Sequence, residues 1–156
     1  MAPTGAIRQG SLKIVMPDVF SPEKRSAVMA RILSHGNKGT ELVLVALMRE
    51  AGITGWRRRQ KLPGSPDFVF RRERVCVFVD GCFWHGCPTH YRRPKTKRKF
   101  WDAKIARNWS RDRKVARLLR AAGWTVLRIW EHSLKKPGPV LARLRRAPNR
   151  DHASAC

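Results

Sequence analysis

Cys82, Cys87 and His90 fall within nine residues, with His85 among them and His132 further along the chain. Thiolate sulfur and imidazole nitrogen are the ligands Zn²⁺ prefers, and a structural site needs four of them in a tetrahedron. The alternative is a pair of buried free cysteines beside solvent-facing histidines. So many candidates at such tight spacing favour a metal, and a reducing compartment favours it over a disulfide. Spacing leaves open which of His85 and His90 is the ligand. Cys76 lies inside a β-rich run and Cys156 ends the chain, so neither is a good candidate.

A second constellation is acidic. Asp67 follows a Pro turn and opens a β-rich run, and Asp80 closes the next one. A hairpin would bring those ends together, where two oxygen donors suit Mg²⁺, a cation able to polarise a phosphodiester and activate water. Glu41 and His85 would complete such a site, as ligand to a metal-bound water and as general acid/base. Simple salt bridging is the competing explanation for each carboxylate in so basic a chain.

That basicity narrows the partner. The chain has 156 residues, with 34 Lys+Arg against 11 Asp+Glu and a net charge of +23. A field of this sign gathers polyanions, and phosphate neutralisation releases counterions. Thirteen Lys/Arg between 91 and 120 oppose only Asp102 and Asp112, more than solubility requires, which points to a phosphate-binding surface. No long basic amphipathic segment indicates a membrane surface, and no apolar run reaches transmembrane length. The N-terminus lacks a signal-peptide pattern, so a cytoplasmic protein is expected. Phe83 and Trp84, flanked by Gly, Cys and His, are poorly placed for a core. A wedge that unstacks a base step is the functional reading, and packing beneath the loop is the competing one.

These residues need elements to hold them. Residues 1 to 20 read as a flexible tail, residues 21 to 144 as one domain, and residues 145 to 156 as a second tail. Ser21-Pro22-Glu23 marks a helix start, and Thr40 can cap a second helix that ends at Gly52. Asp67–Phe70 and Val75–Val79 form a predicted hairpin, and 81 to 94 an irregular loop. Lys97 to Ala122 is helical, Trp124 to Trp130 a strand, and a short helix starts at Pro139. Helix, helix, strands, helix, strand, helix is an α/β order with a mixed sheet.

The run Val77-Phe-Val-Asp-Gly-Cys-Phe-Trp-His85, followed by Gly86-Cys87-Pro88 and His90, resembles the signature loop of very short patch repair (Vsr-type) DNA mismatch endonucleases. Ser26 to Arg31, Leu62-Pro-Gly-Ser-Pro-Asp67, Phe100-Trp101, Gly123-Trp124 and Trp130-Glu131-His132 match in consistent order, covering about residues 21 to 134.

The resemblance implies a restriction-endonuclease-like (PD-(D/E)XK) fold. It also implies a Mg²⁺-dependent nick on one strand, 5′ to the thymine of a T:G mismatch left by deamination of 5-methylcytosine. A cytosine-5 DNA methyltransferase is then the implied companion, mismatch-repair proteins are further candidate partners, and the enzyme is expected to be a monomer at the bacterial nucleoid. By position, Asp67 resembles the metal-binding aspartate, with Val79 offering its backbone carbonyl. Glu41 resembles the helix glutamate and His85 the active-site histidine. Cys82, Cys87, His90 and His132 occupy the region of the zinc ligands. Phe83, Trp84 and Trp101 resemble the mismatch wedge, and Met29 a residue entering from the other groove.

The chain departs from this pattern in places. It has His132 where some familiar members have Cys, a shorter histidine run in the loop, and Asp80 where some relatives have histidine. It also lacks the Glu-x-Lys common in the superfold, so Asp80 is a candidate auxiliary metal ligand or a replacement for a catalytic base. Two other functions fit the same features: a non-catalytic zinc module that binds nucleic acid, and a restriction endonuclease of the same fold.

Overall fold

The computed structural model describes residues 39–147. The expected Ser21 helix, Met29 and Cys156 lie outside these residues. The first described helix, α1 (Glu41–Glu50), buries Leu44, Val45 and Met48 on one stripe, and Gly52 ends it in a left-handed conformation with φ +66°. Thr40 stands at its N-cap, but its side chain makes no capping hydrogen bond; only its carbonyl does, accepting from the Leu44 amide.

Four strands follow: β1 (Trp56–Arg57), β2 (Phe68–Phe70), β3 (Val75–Asp80) and β4 (Thr125–Trp130), in the spatial order β1-β2-β3-β4. The β1–β2 and β2–β3 pairs are antiparallel, with Phe68 opposite Val77, so the expected hairpin is present. β3 and β4 are parallel, which requires a crossover, and the 24-residue helix α2 (Arg98–Ala121) supplies it. The sheet is therefore mixed, as the element order predicts.

β3 is covered on both faces, and this explains its near-continuous apolar run. Val75 and Val77 pack with Leu44, Met48 and Ile129 on one side; Cys76 and Phe78 pack with Val69 and Leu119 on the other. Each fully buried side chain of this size contributes roughly 1.5–3 kcal/mol. By the two-residue period of a strand, Asp80 falls on the α2 side, at the C-terminal end of β3 and opposite Trp130 of β4. Open parallel strands present their ligand sites at that end.

A 3-10 turn (Glu131–Lys135) leads into α3 (Pro137–Arg146). α3 starts two residues earlier than Pro139 and runs past residue 144, because Leu144 and Ala147 are buried in the core. Among the described residues no helix is long and apolar enough to cross a membrane.

Candidate active site and metal centre

The loop after β3 holds most of the candidate site residues, and it is fastened at several points. Within it, the amides of His85 and Cys87 donate to the carbonyls of Gly81 and Cys82. From α2, the Asn108 side chain donates to the Trp84 carbonyl at 2.8 Å, and the Trp109 indole donates to the His85 carbonyl at 2.6 Å. Gly86 makes this docking possible: its φ is +58°, and a Cβ there would meet Ile105 and Trp109 of α2 at 2.9 Å. From beyond β4, Glu131 accepts from the Cys82 amide at 3.1 Å.

His132 provides the remaining fastening. Its Nδ1 lies 3.2 Å from Cys82 Sγ and 3.5 Å from Cys87 Sγ, and the three donor atoms all lie within 4.8 Å of one another. Bonds of ~2.3 Å to sulfur and ~2.0 Å to nitrogen at a tetrahedral angle put those atoms about 3.6 Å apart. The spacing and the soft donor set therefore fit a metal ion. His90 is adjacent: its ring stacks on His132 at 4.1 Å, and its Nδ1 is 3.9 Å from Cys87 Sγ. His85 points elsewhere, toward Asp112, so of the two loop histidines His90 is the one that lies beside the cluster.

The two thiols differ. Burial opposes ionisation of Cys87, but hydrogen bonds with Thr89 and His90 outweigh it and bring the thiol down to about 6. Burial and the neighbouring Cys87 push Cys82 upward. Cys76 is raised to about 11 by burial alone, which suits an inert core residue.

His85 Nδ1 is 2.7 Å from Asp112 Oδ2, a carboxylate on α2. Burial works against the charge of Asp112, yet the His85 hydrogen bond and Arg128 hold it below the usual carboxylate range. Arg128 also grips both oxygens of Asp80, at 2.5 and 2.6 Å, and lies 3.0 Å from Asp112. Its own burial would lower its proton affinity, but the two aspartates raise it. Asp80, only 4% exposed, thus turns toward β4 and α2.

Asp67 stands at the start of β2, and its Oδ2 accepts from the Val79 amide at 2.7 Å. The expected closeness of the two strand ends holds at the backbone, but Asp80 directs its carboxylate to Arg128 and not toward Asp67. Glu41 is buried in the first turn of α1 and is held by Arg58, whose Nε donates at 2.6 Å. It belongs to the layer opposite α2, so a centre common to Glu41, Asp67 and His85 can form only at the sheet end where the layers meet.

Beside His85 sits an aromatic cluster. Phe83 is 5.2 Å from Trp84 and 5.1 Å from Trp101, the first two edge-on, and Phe100 stacks edge-on against Trp101. Lys104 lies over Trp84, Phe100 and Trp101. Phe83, Trp84 and Trp101 are half-buried, and Phe100 is 52% exposed. The neighbouring turn of α2 carries Arg98 and Lys99 and no acid, a placement the helix dipole disfavours until an anion is bound.

Sequence reasoning missed Asp112 and Arg128. Asp112 counted only as one of two acids in a basic stretch. Arg128 interrupts the apolar run of β4, and a cation in a strand flanked by core residues requires a buried carboxylate partner; that was the available signal.

Comparison with known proteins identifies the family of the chain. The family model described as DNA mismatch endonuclease Vsr matches residues 17–93. The type II nicking enzyme V.XorIIP of Xanthomonas oryzae pv. oryzae is 37% identical over 131 residues, 83% of this chain and 96% of that protein. DNA mismatch endonuclease Vsr of Escherichia coli is 36% identical over 121 residues, 77% of each chain. The type II nicking enzyme V.NaeI of Lentzea aerocolonigenes is 55% identical over 68 residues, 44% of this chain and 41% of that protein. An α/β chain with a mixed sheet, matched over most of its length by such proteins, belongs to the Vsr family of DNA mismatch endonucleases.

Proposed function

We propose that this protein nicks one strand of duplex DNA 5′ to the thymine of a T:G mismatch, the lesion left when 5-methylcytosine deaminates. The observation that carries the reading is the loop 83–85, which places two aromatic side chains next to a histidine paired with Asp112 at 2.7 Å. Recognition by wedging and proton transfer would then lie within three consecutive residues. A cytosine-5 methyltransferase would be the functional companion, and mismatch-repair proteins remain candidate partners of a monomer acting at the nucleoid.

Asp67 and the Val79 carbonyl would hold Mg²⁺, and Glu41 is the proposed contact to a water on that ion. Mg²⁺ typically takes one or two carboxylates and completes its shell with water and phosphate, which suits so small a protein donor set. When bound, it supplies Lewis-acid activation of the phosphodiester. His85 commits Nδ1 to Asp112, leaving Nε2 to exchange a proton with water or the departing oxygen. Arg128 and Asp80 act as positioning residues, fixing Asp112 and the β3 end. Cys82, Cys87, His132 and His90 would hold a structural Zn²⁺ that anchors the loop.

Two measurements test the parts. Asp112→Asn removes the charge that orients His85, so single-turnover nicking of a T:G duplex should fall on the order of 10²–10⁴-fold while binding is retained. Nicking at the wild-type rate would exclude His85–Asp112 from proton transfer. Trp84→Ala should weaken the preference for T:G over matched DNA by roughly 1–3 kcal/mol with little change in melting. A melting loss of about 3–5 kcal/mol with preference intact would make Trp84 a packing residue.

A second reading rests on the names of the relatives, several of which are type II nicking enzymes. That reading is an endonuclease of the same fold that serves restriction and not repair. Comparing T:G and matched duplexes with Mg²⁺ distinguishes them: a nick only at T:G supports repair, and a cut in matched DNA supports restriction.

A further inference from the structure

The His85–Asp112 pair opens into a cleft of about 960 Å³ between α2 and β4, larger than one phosphate requires. Arg113, Arg117 and Arg120 line it from α2, and Arg128 and Trp130 from β4. The α2 arginines recur at intervals of four and three, so they stand on one helix face. The only acids lining the cleft are Asp80 and Asp112, and Arg128 already engages both. Among the described residues no carboxylate pairs with Arg113, Arg117 or Arg120. All three are exposed, although like charges one turn apart repel in the free protein.

Such a row, open to solvent and continuous with the site of proton transfer, calls for a polyanion that passes through both. We propose that Arg113, Arg117 and Arg120 form a track for the phosphate backbone on one side of the cut. This rests on the nicking function above, since it places the scissile phosphate beside His85. At 1.5 Å per residue the row covers about 10 Å of helix. DNA rises 3.4 Å per nucleotide on each strand while its backbone also winds around the axis, so the row meets about two successive phosphates. The aromatic cluster reads the mismatch on one flank of His85, and the arginine row holds backbone on the other, so the strand would be gripped on both sides of the bond to be cut.

The test uses the full chain with Arg117→Glu/Arg120→Glu and, as a charge-conserving control, Arg117→Lys/Arg120→Lys. Binding is measured by anisotropy in EDTA across a salt series. Three T:G duplexes are used: one long, and two truncated close to the mismatch on one side or the other. On the long duplex the Glu variant should bind about tenfold or more weakly, with a log–log salt slope smaller by about 2, while the Lys variant keeps the wild-type slope. That difference should vanish on one truncated duplex and persist on the other. An unchanged slope, or the same loss on all three duplexes, overturns the track. Wild-type protein failing to nick the long duplex with Mg²⁺ would instead count against the proposed function, because the salt comparison involves no cutting.

Discussion

Asp67→Ala is expected to abolish nicking and to leave mismatch binding close to the wild-type level. The carboxylate accepts the Val79 amide at the end of the sheet and makes no part of the basic surface proposed to meet phosphates. Losing a metal-ligating carboxylate removes Lewis-acid stabilisation worth several kcal/mol, or on the order of 10³-fold or more in rate. Single-turnover nicking with Mg²⁺, set beside anisotropy in EDTA, separates chemistry from binding. Because the hydrogen bond to Val79 also joins β2 to β3, Asp67→Asn is the companion variant: it can retain an acceptor for that amide but carries no charge. If Asp67→Asn cuts near the wild-type rate, Asp67 is a structural residue and the catalytic assignment fails.

Cys87→Ser is expected to lose the metal and much of the fold's stability at once. Cys87 is buried, and with Cys82 and His132 it ties the loop after β3 to the turn after β4. Structural zinc couples its binding free energy to folding, with apparent values of about 10–16 kcal/mol in small zinc domains. Purified protein should contain about one Zn²⁺ per chain by elemental analysis. Cys87→Ser and His132→Ala should each lower both that content and the melting temperature, and chelation should do the same to the wild type. Loss of nicking should follow, since His85 lies in the tethered loop. Active protein that melts normally without zinc would refute the anchor. His90→Ala tests the fourth position: its ring stacks on His132, so retention of zinc would assign His90 to packing and the fourth ligand to another donor.

Much of the architecture was legible in the chain itself. The apolar run 75–79 is continuous because β3 is covered on both faces, and its pairing with 68–70 follows from the shortness of the four-residue connection Arg71–Arg74, although none of those residues is a turn former. The long helix before Gly123 and the parallel strand after it follow from pattern and from the crossover that parallel pairing needs. Donor chemistry made Cys82, Cys87, His90 and His132 candidates, with His85 as an alternative, and the structure brings together the donor atoms of Cys82, Cys87 and His132.

Tertiary structure decided the rest, because side-chain partners far apart in sequence are set by packing and not by local pattern. The hairpin suggested that Asp80 would share a cation with Asp67. Arg128, 48 residues away, is nearer and permanently charged, and it takes both oxygens of Asp80. Asp112 was one acid in a basic stretch until α2 crossed the sheet and set it against His85. His85 and His90 are equivalent as zinc candidates by spacing. The turn at Gly86, with a positive φ that lets the loop approach α2, directs His85 to Asp112 and leaves His90 against His132. Sequence therefore determined the secondary elements, the charge and the donor types, whose signals are local or additive. Which carboxylate served which cation depended on the geometry of the crossover, in which residues some 27 to 50 positions apart come within hydrogen-bonding distance.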